Sequence, residues 1–253
     1  MILYHYTKLV NFEKIVLKDK LSFRLTEFRN LEDDTEGGDY LRLNIFLKNK
    51  NNVGRSNLSR YILSLCKVND SEYMWHKYGD EGRGIVLALD TNVIGEGILH
   101  RLEECDYNNE TVIVVHEDIK TIKESYKSKE VISAIQEKAS RFGVKPEEMR
   151  HALELNSVMN TSQALLRVKS SDYHKEQEMR YIVTPSDLDL FTEGPDQKYK
   201  YMFLVDKEAF KAVYLGPKCE LTFGVSGRIN NYLLTNGYVD VEIQQLKLLY
   251  NYE

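Results

Sequence analysis

The sequence predicts an α+β fold of mixed short strands and flanking helices, and three observations carry that prediction. Short alternating or β-branched runs recur, as at 61–66 and 85–89. Helical periodicities appear between them, but without the strict strand–helix alternation of a doubly wound parallel sheet. One long charged stretch, at about 117–165, departs from the strand-rich remainder and reads as a mainly helical insertion. With 253 residues, a single domain spanning 1–253 and carrying that insertion is the expectation.

In chain order, residues 2–6 alternate as a strand, and Thr7 is placed to cap a helix in which Leu9, Phe12, Ile15 and Val16 share a face. A strand at 21–25 leads into an acidic loop at 30–38, then a helix at 40–47 and a polar run at 48–55. The strand at 61–66 ends in the turn residues Asn69-Asp70-Ser71. A helical turn holds Met74, Trp75 and Tyr78, and the glycine loop 79–84 opens the strand 85–89. Residues 112–115, all apolar and β-branched, read as a further strand. Within the insertion Pro146-Glu147-Glu148 restarts a helix, since proline and acids both suit its first turn. Strands resume at 179–184, 201–205 and 212–215. A last helix at 226–234 stops at Asn236-Gly237, and Val239, Val241 and Ile243 suggest a closing hairpin.

Composition narrows the function classes. Seventeen tyrosines against one tryptophan suit surfaces that are half apolar and half wet, such as clefts and partner faces. The net charge of −5, with signs interspersed, argues against a strong non-specific grip on nucleic acid, though not against nucleic acid as a transient substrate. The three cysteines, Cys66, Cys105 and Cys219, fit neither a disulfide framework nor a metal spacing, so a reducing, cytoplasmic setting is expected. The first residues lack the pattern of a signal peptide, and no apolar run approaches the roughly 20 residues of a membrane helix. No His-x-x-x-His pair occurs among the six histidines, so no metal is expected. The loop 79–84 precedes a strand instead of joining strand to helix, which makes it a turn and not a dinucleotide fingerprint. The acidic loop lacks calcium-ligand spacing.

Two segments resist a bland reading. Tyr4-His5-Tyr6-Thr7 places polar-capable side chains on the first strand. Glu176-Gln177-Glu178-Met179-Arg180 opens a later one, where alternation would set Glu176 and Glu178 on one face with about 7 Å between α-carbons. Two such carboxylates repel unless a cation or ligand compensates, and Arg180 continues the same face.

These segments resemble the bacterial and phage-associated proteins grouped as domain-of-unknown-function family 2971. The matching residues are Tyr4 to Thr7, Ser64-Leu65-Cys66, Met74-Trp75-His76-Lys77-Tyr78-Gly79, Glu176 to Arg180, and Val213-Tyr214-Leu215-Gly216. The departures are Cys66 for a second serine, Tyr173 and Met179 for tryptophans, and a poorly kept segment near residue 30. The motif order is in turn similar to that of ADP-ribosyltransferases, which implies a split mixed β-sheet, NAD as substrate, and a macromolecular acceptor, protein or nucleic acid. A toxin or phage-defence role, with an antitoxin or immunity protein as partner, is part of what the resemblance implies.

The resemblance also implies roles. Breaking the nicotinamide–ribose bond builds positive charge on the sugar, which Glu178 would stabilise. Glu176 would orient or deprotonate the acceptor. His5 would hold the adenosine-side ribose or phosphate, and Ser64 would support the site. Tyr6 and Tyr78 would stack on nicotinamide, with Thr7 and Arg180 completing the NAD contacts. An NAD glycohydrolase using the same site, and a catalytically inactive nucleotide- or protein-binding module, are the alternatives. Either enzyme requires the strands carrying His5, Ser64 and Glu178 to lie close together.

Overall fold

The N-terminal alternation becomes β1 (Ile2–Thr7), whose Leu3 is fully buried on one face. The computed structural model describes residues 1–31, 60–94, 102–108, 110–183, 191–193, 201–219 and 223–246. The expected helix at 40–47, the polar run at 48–55 and nearly all of the acidic loop at 30–38 lie outside them. After β1 the chain makes a 3-10 turn at Leu9–Asn11 and the single-turn helix α1 (Phe12–Ile15). Thr7 caps no backbone group there. Its hydroxyl instead accepts the Asn11 side-chain amide at 3.0 Å.

The next strands are β2 (Val16–Leu17), β3 (Lys20–Arg24), β4 (Thr26–Glu27) and β5 (Tyr61–Cys66). Helix α2 (Glu72–Lys77) follows, its first turn capped by Ser71, which accepts the Met74 amide at 3.3 Å. The glycine loop is a tight structural turn. A side chain at Gly84 would stand 2.4 Å from the Thr7 carbonyl, and one at Gly216 would stand 2.2 Å from that of Gly82. The loop feeds β6 (Ile85–Asp90), and β7 (Leu102–Glu104) comes next.

Three helices follow: α3 (Glu110–Ser125), α4 (Lys129–Phe142) and α5 (Pro146–Ser162). The strand expected at 112–115 is therefore helical. Asp106 explains the start, since its carboxylate accepts the Asn108 amide at 2.8 Å and the Thr111 amide at 2.6 Å. Thr111, Val115 and Ile119, four residues apart, are buried, while Ile113 and Val114 stay exposed. Packing of that one stripe overrides the β-preference of the branched run. Pro146 does open α5, and Gly143, in a left-handed conformation, ends α4.

The C-terminal part supplies β8 (Glu178–Val183), β9 (Phe191–Glu193), β10 (Tyr201–Asp206), β11 (Phe210–Leu215), α6 (Phe223–Thr235) and β12 (Glu242–Gln245). The closing hairpin expected around 239–243 does not form. With α6 standing between them, β11 and β12 pair in parallel, as a helical crossover requires.

Among the described residues the strands form two sheets. An eight-stranded mixed sheet runs β12-β11-β6-β1-β5-β8-β7, with β4 also on β5, and a four-stranded sheet runs β2-β3-β10-β9. Leu3, Leu63, Leu87 and Tyr181 from the first sheet meet Leu21, Phe23, Phe203 and Val205 from the second, and Ile229 and Leu233 of α6 join the same core. The chain divides into two compact units. One takes Met1–Asn30, Ser59–Cys105 and Asp172–Glu253 and holds both sheets, while the other takes Leu31–Leu58 and Asp106–Ser171 and holds α3 to α5. No described helix is long and apolar enough to cross a membrane.

Candidate functional site

The strands that carry the expected site residues are neighbours: β1 pairs with β5, and β5 pairs with β8. Tyr4 stands opposite Cys66, Cys66 opposite Glu178, and Ser64 opposite Arg180. Cross-strand partners point to the same side of a sheet and alternate residues share a face. One face therefore collects Tyr4, Tyr6, Ser64, Cys66, Glu178 and Arg180. Ser64 is exposed although its strand is central, so this face is open at that point.

Beside Ser64, on the neighbouring strand, lies a buried ion pair. Arg180 donates through Nε to one oxygen of Glu178 at 2.8 Å and through a terminal nitrogen to the other at 3.0 Å. Glu178 is 4 % exposed and Arg180 is 0 % exposed. A two-pronged bond of this kind fixes both side chains and offsets much of the cost of burying the charges.

Glu176 is placed differently from what strand alternation implies. It ends a 3-10 segment, Ser171–Glu176, and Gln177 then takes a positive φ of 43° before β8 begins at Glu178. That turn carries Glu176 out of the ladder. Its carboxylate accepts Lys77 Nζ at 2.8 Å and the Tyr78 hydroxyl at 3.0 Å, and Glu176 is 2 % exposed. The Lys77 ammonium lies 4.4 Å from the Tyr173 ring centre, 4.9 Å from that of Tyr78 and 5.7 Å from that of Tyr73. These are distances at which a cation is drawn to an aromatic face. Each carboxylate thus has its own cation, Lys77 for Glu176 and Arg180 for Glu178. Burial works against the Lys77 charge, but the bonds to Glu176 and Tyr78 outweigh it and raise the lysine above its ordinary range.

Cys66 links the two acidic positions. Its thiol donates to the Glu176 carbonyl at 3.0 Å, and its backbone partner across the sheet is Glu178. Burial first, and the two carboxylates second, push the thiol up to about 11, so it stays a protonated donor and a poor nucleophile.

His5 is not brought together with these groups. The pleat turns it to the opposite face, where its ring meets Phe23 of the core edge-on at 5.0 Å and its Nδ1 lies 3.5 Å from the Ser64 backbone carbonyl. Burial lowers its imidazole to about 4, so it is neutral near pH 7. Thr7 shares that face and is buried. Tyr6 lies on the same face as Ser64 but is buried, with its hydroxyl donating to the Val68 carbonyl at 2.9 Å and its ring edge-on to Trp75 at 5.2 Å. Its geometry supports the sheet and does not present the ring for stacking. Tyr4, Tyr78 and Tyr214 are half-buried and pack around that Tyr6–Trp75 pair.

The sequence alone assigns Lys77 and Tyr73 no role at the site, although Lys77 falls within the Met74 to Gly79 motif, and Tyr173 stands out in it only as a departure from tryptophan. The signal that could have found Tyr73 and Lys77 is their position, one directly before the Met74 to Gly79 motif and the other within it. Residues 74–181 match the model of the family described as "Protein of unknown function (DUF2971)", which bears out the resemblance carried by Met74 to Gly79 and Glu176 to Arg180. No curated protein and no solved structure matches the chain.

Proposed function

We propose that the face of β1, β5 and β8 around the exposed Ser64 binds NAD, and that the protein is an ADP-ribosyltransferase-like enzyme acting on a macromolecule inside a bacterial cell. The observation that supports this most is the adjacency of the three motif-bearing strands, which sets Glu178 and Arg180 on the same face as the exposed Ser64, with Tyr4 and Tyr6 on that face too. In the reaction, the bond from ribose to nicotinamide breaks and nicotinamide leaves neutral with the bonding pair. The acceptor then bonds to the sugar carbon and gives up its proton to water. The Glu178 carboxylate, from its buried position, stabilises the charge on the sugar through its field, and Arg180 holds that carboxylate in place. His5 and Thr7, on the other face, contribute to the fold. A toxin or phage-defence role, with an antitoxin as partner, belongs to the same reading.

One observation favours a second reading, a nucleotide- or protein-binding module without turnover. A carboxylate already gripped twice by a guanidinium presents a weaker field to a sugar cation than a free one. NAD binding, nicotinamide release and label transfer from NAD to a cell lysate separate the possibilities. Release without transfer identifies a glycohydrolase, and binding without release identifies the module. Ser64→Trp, on an exposed position, should fold and lose NAD binding by covering the face. If the wild-type protein neither binds nor consumes NAD, the NAD reading is wrong in all its forms.

A further inference from the structure

We propose that the cleft between α3 and α5 is a binding site for a small polyphosphate-bearing anion of nucleotide size, separate from the sheet face. The cleft has a volume of about 610 Å³, within the range of ordinary small-molecule pockets. Lys120, Lys123 and Lys127 line it from α3 and the residues just after it, and Arg150 lines it from α5. The three lysines are spaced by three and four residues, so they form one stripe.

Like charges at that spacing repel and weaken a helix. The stripe therefore needs counter-charge, and Glu117 and Glu124 of the same helix stand near Lys120 without pairing to it. Glu124 meets Lys127 at 2.6 Å. Lys120, Lys123 and Arg150 make no hydrogen bond or ion pair among the described residues. Glu154 is the other carboxylate in the lining. Four cations thus face two carboxylates in a chain whose net charge is −5.

The remainder of the lining suits a ligand with a flat ring. Ile119 forms a buried apolar floor, and the Tyr126 ring is held by a hydroxyl contact to Ser157 Oγ at 3.1 Å. Cations for phosphates beside an anchored aromatic ring describe the chemistry of a nucleoside diphosphate or triphosphate. Free pyrophosphate shares the anionic half of that chemistry.

The test is calorimetric titration of the full chain at low salt with inorganic pyrophosphate and, separately, with ADP. Both should bind, ADP more tightly, and affinity should fall as salt is raised. Lys120→Glu combined with Lys123→Glu should weaken both probes at least tenfold, and Tyr126→Ala should weaken ADP selectively. The two lysines are on the helix surface, so circular dichroism of the charge-reversed variant should match wild type. Its nicotinamide release from NAD should be unchanged, which separates this site from the sheet face. Absence of binding by either probe, or binding indifferent to the charge reversal, overturns the proposal.

Discussion

Arg180 grips both oxygens of Glu178, at 2.8 and 3.0 Å, in a place where neither side chain reaches solvent. The consequence for stability is the reverse of what two crowded carboxylates would give. Glu178→Gln should destabilise the fold by about 2–4 kcal/mol, because a buried guanidinium is left half-compensated. A cycle with Arg180→Met and the double variant, followed by urea unfolding, should show a coupling of about 2 kcal/mol. Simple additivity would mean that the pair contributes nothing specific. Activity of Glu178→Gln should be compared only after folding has been verified.

Gln177 gives a second expectation. Its φ of 43° is a conformation that costs a non-glycine residue about 1 kcal/mol or more. Gln177→Gly should be neutral or stabilising by up to about 1 kcal/mol, whereas Gln177→Val should destabilise by about 1–2 kcal/mol. Chemical denaturation of both variants checks this. If valine is tolerated as well as glycine, the left-handed turn does not hold Glu176 off the strand.

His5 gives a dependence on pH. Its folded value, about 4, lies below the unfolded value of about 6.5. The unfolded chain takes up the proton first, so stability is complete above about pH 6.5 and declines as pH falls towards 4. Allowing for the partial exposure of the ring, the decline is about 2 kcal/mol. Thermal melts of wild type and His5→Gln between pH 7 and 4 should diverge in slope over that window. Parallel curves would place the acid sensitivity elsewhere, for instance in the carboxylates.

The strands expected at 61–66 and 85–89 are legible in the sequence because each is a short, mainly apolar run bounded by turn residues, and the one expected at 179–184 forms as Glu178–Val183, shifted by one residue. The helix over 112–115 is not, since the local branched residues favour a strand and only burial of Thr111, Val115 and Ile119 decides otherwise. The parallel pairing of β12 is a long-range fact with no local signature. At the site, the side-by-side placement of the three strands matches expectation, but the faces do not. Alternation from Glu176 to Glu178 assumes an extended Gln177, and one backbone angle undoes it. The contact that receives Glu176 comes from Lys77, 99 residues away.

Cys66, Cys105 and Cys219 are all buried, none is in a disulfide, and all three lie in the unit that carries the sheets. A thiol reagent therefore meets no accessible sulfur until that unit opens, and α3 to α5 carry no cysteine at all. Alkylation thus acts as a clock for one half of the molecule and is silent about the other. Opening rates of the sheet-bearing unit become measurable in the intact chain, without an introduced label, against a background in which the helical unit is chemically invisible.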